Sequence, residues 1–315
     1  MRVFHDIEAL DLVKPVATLG IFDGVHLAHQ SVIKKLRETA DVLFGESTII
    51  TLWPHPRIVL NGEKDQIKLL NTLEEKIERL EKTGIENLII IPFDKKLALM
   101  GFDQFIREIL LKKIGITHLV VGYNHQFGHN REGDFQRLRS LADELNFGLS
   151  MQEPVRIEET RISSSLIRRL ILEGNMEQAN NFLGYTFFIS GEVIGGNKMG
   201  RGIGFPTANI EVREVEKIIP PRGVYAVYAK TEGSLHKGMM NIGCRPTLNE
   251  NCLQDILEVN LFDFEEDLYK KKLKIYFIKK LREERKFVNI AALRHQIEKD
   301  KHLINEILDS IKIDK

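Results

Sequence analysis

The sequence predicts two domains of different class: an α/β domain built on a parallel sheet, and then a small antiparallel β-barrel with a C-terminal helix. In the first half, apolar β-rich runs alternate with segments of helical periodicity. In the second half, short strands follow one another without helices between them. The last segment carries apolar residues at helical spacing, which indicates an amphipathic helix that covers the barrel.

The first half contains five short apolar runs that are rich in β-branched residues, as strands buried on both faces are. These predicted strands cover residues 16–22, 48–53, 88–93, 118–123 and 148–155. Helical spacing occurs at residues 30–44, 72–83, 102–114, 134–145, 165–172 and 176–183. The alternation predicts βαβ units, in which ligands bind beyond the C-terminal ends of the strands.

The pattern changes at Gly184. Predicted strands then cover residues 187–194, 205–211, 223–230, 236–242, 255–264 and 272–280, and a predicted helix covers 289–311. We therefore predict a first domain over residues 1–184 and a second over 185–315.

Composition excludes several classes of protein. The 315 residues contain 45 Lys plus Arg and 45 Asp plus Glu, so the chain lacks the basic excess of proteins that grip nucleic acid. Neither a signal pattern nor a stretch of uncharged apolar residues long enough to cross a membrane is present. Cys244 and Cys252 do not indicate a disulfide framework or a CxxC metal site. We expect a cytoplasmic protein without nucleic-acid or membrane partners, and a homo-oligomer is compatible with the sequence.

The first predicted strand ends in the segment GIFDGVHLAHQ, residues 20–30, and a helix begins at about Leu27. His26 and His29 are three residues apart, so they share one face at the helix N-terminus, where free N–H groups and the helix dipole favour phosphate. Gly24 permits a tight turn. Two imidazoles there could bind a triphosphate and stabilise charge during phosphoryl transfer. Alternatively, one histidine caps the helix while the other faces solvent, or both belong to a zinc site that lacks obvious further ligands.

A second phosphate-binding candidate is ISSSLIRR, residues 162–169. Hydroxyl and backbone N–H groups at a helix N-terminus can contact phosphate oxygens, and Arg168 would add a bidentate donor. The alternative is an ordinary N-cap with a surface arginine.

The second half opens with a glycine-rich stretch, residues 191–211, that includes Lys198 and Arg201. Such a stretch can wrap phosphate with backbone N–H groups, although it lacks the Lys-Ser/Thr and the helix of a P-loop. The alternative is a flexible hairpin. Thr207 and Asn209 alternate along an extended chain and so face one side, where they could bind nucleotide-bound Mg²⁺. Glu258 lies on the polar face of a strand, and its pattern alone does not distinguish a catalytic group from a solvated one.

Four motifs of the first half resemble the adenylyltransferase module of prokaryotic bifunctional FAD synthetases, which is a Rossmann-like HxGH nucleotidyltransferase. They are GIFDGVHLAHQ, TLWPHP (51–56), VVGYNHQFG (120–128) and ISSSLIRR. The resemblance implies that His26 and His29 bind ATP phosphates and stabilise the transition state in which FMN attacks ATP to form FAD. It implies that His55 and Asn124 lie close to the flavin or the reacting phosphates. The implied ATP-binding residues are Gly20, Phe22, Asp23, Gly24, Ser163, Ser164, Ser165 and Arg168.

This half departs from the family at two positions. Ala28 stands where the family usually has glycine, which adds a methyl group close to the phosphate. A helix tolerates alanine well, so we expect an altered rather than an inactive site. His125 stands where an aromatic residue is more common.

The second half resembles the riboflavin kinase domain, a small Greek-key β-barrel. The matching motifs are GRGIGFPTAN (200–209), PRGVYAV (221–227), NIGCRPT (241–247), LEVNLFDF (257–264) and LREERKF (281–287). The resemblance implies that Glu258 is the general base for riboflavin phosphorylation, that Thr207 and Asn209 hold Mg²⁺ and ATP, and that Arg282 borders the flavin. Lys270 replaces a common glycine. The implied phosphate-covering loop contains Gly196, Lys198, Gly200, Arg201, Gly202 and Gly204.

Two other hypotheses remain. A class I aminoacyl-tRNA synthetase uses similar HxGH chemistry, but the chain is short and neutral and has no tRNA-binding module. A non-catalytic flavin-binding regulator would have lost one set of catalytic residues, whereas His26, His29, Thr207, Asn209 and Glu258 are all present.

Overall fold

The computed structural model describes residues 1–8, 10–61, 67–123, 135–157, 159–195, 202, 204–231, 233–244 and 255–311. The chain divides into two compact units, Met1–Ser164 and Ser165–Lys315.

The first unit contains a six-stranded sheet in which every neighbouring pair is parallel. The strands are β1 (Arg2–Phe4), β2 (Val16–Leu19), β3 (Ser47–Trp53), β4 (Asn87–Pro92), β5 (His118–Gly122) and β6 (Gly148–Gln152). The spatial order is β1-β4-β3-β2-β5-β6, so the direction of winding reverses between β2 and β5. A reversal of this kind opens a crevice beyond the strand ends, which is where open α/β sheets bind ligands. The predicted parallel sheet is confirmed, with β1 as an additional edge strand.

Helices and two hydrophobic clusters complete this unit. One cluster includes Ile33, Leu36 and Ile49, and the other includes Ile50 and Leu141, so adjacent residues of β3 enter different clusters. This is expected of a strand that is covered on both faces. The helices are α1 (Leu27–Leu43), α2 (Pro56–Asn61), α3 (Leu73–Glu81), α4 (Lys95–Ala98), α5 (Phe102–Gln104, continued by a π-helical segment Phe105–Ile114) and α6 (Phe135–Leu145). A short hairpin, β7 (Arg156–Ile157) and β8 (Thr160–Arg161), follows the sheet.

Helix α3 begins with a capping box. The Thr72 hydroxyl accepts a hydrogen bond from the Glu75 N–H at 3.1 Å, and the Glu75 carboxylate accepts one from the Thr72 N–H at 3.1 Å. We expect Thr72→Ala to lower the free energy of unfolding by about 1 kcal/mol, measured by urea denaturation, because the first turn loses its acceptor. Thr72→Ser keeps the hydroxyl and should unfold like the wild type. Equal stability of the alanine and serine variants would contradict this role.

The second unit begins with α7, which starts at the unit boundary (Ser164–Leu172), and α8 (Met176–Leu183), and continues as a closed antiparallel barrel. Its strands are β9 (Phe188–Ile194), β10 (Ala208–Glu211), β11 (Gly223–Lys230), β12 (Leu235–Cys244), β13 (Asp255–Leu261) and β14 (Lys272–Arg282). The order is β10-β13-β12-β11-β14-β9, and the series β14-β11-β12-β13 is a Greek key. The predicted barrel is confirmed.

Cys244, the last residue of β12, is disulfide-bonded, and Cys252 lies outside the described residues.

Alternate residues of β11 face two different environments. Val224 and Ala226 pack in one cluster with Ile304 and Leu308 of the C-terminal helix, α9 (Ile290–Asp309). Tyr225 lies between them in sequence, is fully buried, and makes an edge-to-face contact with the ring of Phe277 at 5.4 Å. Helix α9 therefore covers the outside of the barrel, as predicted. In the part of the chain that the structure describes, no helix is both long and apolar enough to span a bilayer.

Candidate active sites

The loop between β2 and α1, residues 20–26, leaves the sheet at the point where the winding reverses. Phe22, Gly24 and Val25 have positive φ angles of 50°, 88° and 38°. Glycine adopts such angles readily, whereas Phe22 and Val25 do so only because surrounding contacts hold them. The chain therefore makes a tight, strained turn at the expected position of a ligand.

The two histidines form a single stacked unit at the start of α1. His26 is the N-cap, and its Nδ1 accepts a hydrogen bond from the His29 N–H at 3.4 Å. The two rings are nearly parallel, with centroids 3.6 Å apart. The alternative interpretation is thus partly correct, because His26 caps the helix. His29, however, lines a cavity, and its buried Nδ1 has no hydrogen-bond partner among the described residues.

The electrostatic environment keeps His29 neutral. Burial, followed by the neighbouring His26 and then Lys76, lowers the pKa of His29 well below its ordinary value. Burial also lowers the pKa of Lys76 to about 8, against the opposing effect of Asp23. A neutral imidazole can still donate one hydrogen bond to a phosphate oxygen, and a bound polyanion would favour its protonation.

Ser164 and Asp23 connect the histidine pair to other parts of the first unit. The Ser164 hydroxyl donates to the Asp23 carbonyl at 2.9 Å and lies 3.3 Å from Nε2 of His26. The buried Asp23 carboxylate accepts hydrogen bonds from the N–H groups of Leu70 and Asn71 at 2.9 and 3.3 Å. The structure therefore brings Ser164 to the predicted site. The Asp23 carboxylate fixes the turn before α1 to the backbone of Leu70 and Asn71.

The other residues of the ISSSLIRR motif differ in exposure. Ser163 and Arg168 are half-buried and Ser165 is exposed. Their contact with phosphate stays a prediction.

The cavity has a volume of about 1010 Å³ and lies at the ends of β2 and β5, where the crevice is expected. Gly20, Phe22, Ala28, His29 and His55 all line it, so the methyl group of Ala28 belongs to its wall. Much of the remaining wall is apolar and comes from Leu52, Val59, Leu60, Leu97, Leu99, Met100 and Phe105. Arg57, Lys95 and Arg161 add positive charge, which exceeds the single negative charge of Glu153. The cavity can therefore accommodate a ligand with an aromatic part and an anionic part.

Of the two residues of the first unit that were predicted to lie near the flavin, His55 is at the cavity and Asn124 is outside the described residues. His55 is buried at the cavity wall, and its Nδ1 accepts a hydrogen bond from the Arg57 N–H at 3.1 Å. Asn124 lies outside the described residues, as does His125.

In the barrel, three polar residues lie side by side on adjacent strands. Asn209 of β10 is opposite Glu258 of β13, and Glu258 is opposite Asn241 of β12. Directly opposed residues of antiparallel strands project to the same face, so these three side chains form a polar row. Glu258 is half-buried there, and Thr207, just before β10, is exposed. The predicted base and the predicted cation ligand Asn209 are thus neighbours.

Asn260 is a fourth polar residue on the same face of the barrel. It is 5% exposed and lies two residues after Glu258 on the same face of β13. Its Nδ2 donates a hydrogen bond to the Pro206 carbonyl at 2.6 Å. This bond holds the chain immediately before Thr207.

The glycine-rich loop is largely outside the described part of the chain. Gly196, Lys198, Gly200 and Arg201 belong to the undescribed residues, so their phosphate contacts stay predictions. Gly202 is exposed, and Gly204 has a φ angle of 87°, which favours glycine.

Arg282, at the end of β14, is bound within the protein. Its Nε and Nη2 donate to the Asp300 carboxylate at 2.9 and 2.7 Å, and its Nη1 donates to the Glu283 carbonyl at 3.0 Å. Asp300 is 1% exposed and also accepts a hydrogen bond from Gln296. Arg282 therefore fixes the start of the segment between β14 and α9, and its contact with flavin stays a prediction.

No group of three or more His, Cys, Asp or Glu side chains is close enough to hold a metal ion among the residues that the structure describes. The polar row supplies other oxygen donors, the Asn209 amide and the Glu258 carboxylate, and the Thr207 hydroxyl lies just before β10. Hard cations such as Mg²⁺ prefer oxygen ligands and retain several waters, so these residues fit a nucleotide-bound cation.

Sequence reasoning missed Lys76 and the structural role of Asn260. Both make hydrogen bonds to residues more than fifty positions away, which no local pattern encodes. One signal for Lys76 was available, because it lies four residues before the buried Leu80 on the apolar stripe of α3. A lysine on a buried helix face usually needs a partner.

Comparison with known proteins agrees with both halves. A family model described as FAD synthetase matches residues 10–166, and one described as riboflavin kinase matches residues 183–308. A solved structure titled a macrolide-efflux protein from Streptococcus pneumoniae has a TM-score of 0.87 and 25% identity, with coverage of 96% of this chain and 98% of that chain.

Two curated relatives extend over nearly the whole chain, and both are named bifunctional riboflavin kinase/FMN adenylyltransferase. The Bacillus subtilis protein is 39% identical, with coverage of 94% of this chain and 93% of the relative. The Listeria monocytogenes protein is 36% identical, with coverage of 91% and 90%. The order of the two matched domains, the parallel sheet and the closed barrel lead to one conclusion: this chain belongs to the family of bifunctional riboflavin kinase/FMN adenylyltransferases.

Proposed function

We propose that the chain phosphorylates riboflavin to FMN in its barrel unit and adenylylates FMN to FAD in its parallel-sheet unit, with ATP as the co-substrate of both reactions. The observation that carries the proposal is the stacked His26–His29 pair at the N-terminus of α1, beside a cavity at the switch point of the sheet. The match to a bifunctional relative, which covers 94% of this chain, supports the presence of both activities.

In the adenylyltransferase site, the triphosphate of ATP lies at the N-terminus of α1, where N–H groups and the helix dipole attract anions. The FMN phosphate attacks the α-phosphorus, a new P–O bond forms, and pyrophosphate leaves. His29 donates a hydrogen bond to the reacting phosphates, and His26 orients it through the stack and the helix cap. The apolar wall of the cavity receives the flavin ring.

In the kinase site, Glu258 accepts the proton of the riboflavin 5′-hydroxyl as that oxygen attacks the γ-phosphorus of ATP and ADP leaves. Thr207 and Asn209 would hold Mg²⁺, whose charge neutralises the phosphates when it is bound. The register between Asn209 and Glu258 supports this assignment, since it puts the base beside the predicted cation ligand.

The direct test is to incubate the purified protein with riboflavin, ATP and Mg²⁺ and to separate the flavins by chromatography. We expect FMN to appear first and FAD to follow. Formation of FMN without FAD, also when FMN is supplied, would reject the adenylyltransferase assignment. Failure to form FMN from riboflavin would reject the kinase assignment.

Asn260 provides a test of the kinase site that spares the reacting groups. Asn260→Ala removes the hydrogen bond to Pro206, worth about 1 kcal/mol, and should raise the KM for ATP-Mg²⁺ about fivefold. The measurement is the rate of FMN formation against ATP concentration. The rate of FAD formation from FMN in the same preparation is the control and should not change. An unchanged KM would contradict a role of Asn260 in holding the Thr207 segment.

Three further expectations accompany the proposal. The boundary between the functional modules near residue 184 stays a proposal: the riboflavin kinase match starts at residue 183, whereas the compact units divide between Ser164 and Ser165. The cytoplasmic location and the oligomeric state stay predictions.

A further inference from the structure

The parallel-sheet unit contains a buried lysine that the phosphate chemistry described above does not use. Lys76 of α3 is 1% exposed. Its Nζ donates a hydrogen bond to the Ile21 carbonyl at 2.8 Å and lies 4.8 Å from the centroid of the Trp53 ring. A buried ammonium is unfavourable unless nearby groups compensate for its lost hydration, so its position requires an explanation.

The acceptor of Lys76 belongs to the strained turn that precedes the histidine pair. Thr51 donates to the same Ile21 carbonyl at 3.3 Å, so this carbonyl receives two hydrogen bonds. The next residue, Phe22, has a positive φ angle, and its ring is 5.1 Å from that of His29. A backbone in this conformation persists only where its surroundings hold it. Lys76 is one of the groups that do so.

Lys76 also lies within electrostatic reach of the groups that surround this turn. The Asp23 carboxylate of the turn favours its charged form, and Lys76 in turn disfavours protonation of His29. His26 likewise lowers the pKa of His29. On its own helix, Glu75 is bonded to Thr72 through the capping box. The ammonium of Lys76 is therefore a buried positive charge that helps to keep the imidazole of His29 neutral.

We propose that Lys76 is a positioning residue of the adenylyltransferase site: its buried ammonium fixes the Ile21 carbonyl and thereby holds residues 20–26 and the His26–His29 pair in the arrangement that binds phosphate. This inference rests on the proposed adenylyltransferase function of the first unit. Lys76 is not among the residues that line the cavity, so we assign it a positioning role rather than a catalytic one.

Lys76→Met removes the charge and the N–H donors while it keeps a long apolar side chain. We expect kcat for FAD formation from FMN to fall about tenfold with little change in the KM for FMN, because loss of positioning affects the reaction more than substrate binding. Lys76→Gln keeps an N–H donor without charge, so its kcat should lie between that of the methionine variant and that of the wild type. FMN formation from riboflavin is the internal control and should be unchanged in both variants.

Two further measurements separate this role from a merely structural one. The charged form of Lys76 is lost as the pH rises through its pKa of about 8, so wild-type FAD formation should decline above that pH and the methionine variant should lack this decline. In the variant, the pKa of His29, followed by NMR, should rise because a neighbouring positive charge is gone. Thr72→Ala, which weakens the same helix without changing charge, should alter neither the pH profile nor the pKa of His29.

The possible outcomes are distinct. If the wild type forms no FAD from FMN and ATP, the proposed function of this unit is wrong. If the wild type is active and Lys76→Met has the same kcat, the same pH profile and the same His29 pKa, only the role of Lys76 is wrong. If the methionine variant fails to fold, the wild-type pH profile and Lys76→Gln decide. Wild-type FAD formation that does not decline above pH 8, together with a kcat of Lys76→Gln equal to that of the wild type, overturns the proposal.

Discussion

Replacement of Glu258 by alanine is expected to reduce FMN formation from riboflavin and ATP by about 100-fold or more. The carboxylate of Glu258 is the predicted acceptor of the 5′-hydroxyl proton, and it lies on β13 between Asn209 and Asn241 of the flanking strands. Without it, the hydroxyl must lose its proton to water as it attacks. Conversion of supplied FMN to FAD takes place in the other unit and should continue at the wild-type rate.

The control for this experiment is another carboxylate on the same strand. Asp255 is exposed, pairs with Arg222 at 2.7 Å, and lies at the start of β13. Asp255→Asn should leave FMN formation unchanged. Glu258→Gln, which keeps the shape of the side chain but accepts no proton, should resemble Glu258→Ala. If the alanine variant retained kinase activity within a few-fold of wild type, Glu258 would not be the general base.

The elements that the sequence predicts well are those with a strong local period. Strand β11 has the predicted bounds, because its apolar run ends at a turn on each side, and α8 also has the predicted bounds. Strand β1 was missed because it is three residues long and none of its residues is buried. The short helix α2 was missed for a similar reason, since six residues give less than two turns of pattern.

In the candidate sites, too, features with a local sequence pattern were predictable and contacts between distant segments were not. Residues within one motif, such as His26 and His29, were predicted together because three residues bring two side chains onto one helix face. The contacts that hold those motifs were not predictable, because they join distant segments: Lys76 to Ile21, Ser164 to Asp23, and Asn260 to Pro206. The register of β10, β13 and β12 likewise depends on how the barrel closes, so the position of Asn241 beside Glu258 had no local signal.

Replacement of His29 should affect the formation of FAD from FMN. We expect His29→Ala to lower the rate of FAD formation from FMN by about 100-fold, since removal of one hydrogen-bond donor to a transition state typically has this effect. His29 is the member of the stacked pair that lines the cavity, and its depressed pKa makes it a neutral donor before the triphosphate arrives. The loss should appear mainly in kcat, because the interaction strengthens as charge develops on the reacting phosphates.

A matched control distinguishes this effect from a general loss of imidazole. His5→Ala changes an exposed histidine of the same unit and should leave FAD formation unchanged. His29→Asn, which retains a short N–H donor, should recover part of the lost rate, and FMN formation from riboflavin should be unaffected in every variant. If His29→Ala raised only the KM for ATP, His29 would bind the ground state rather than stabilise the transition state. Full activity would mean that the stacked pair only caps α1, because the hydrogen bond that the His29 N–H donates to His26 does not need the imidazole of His29.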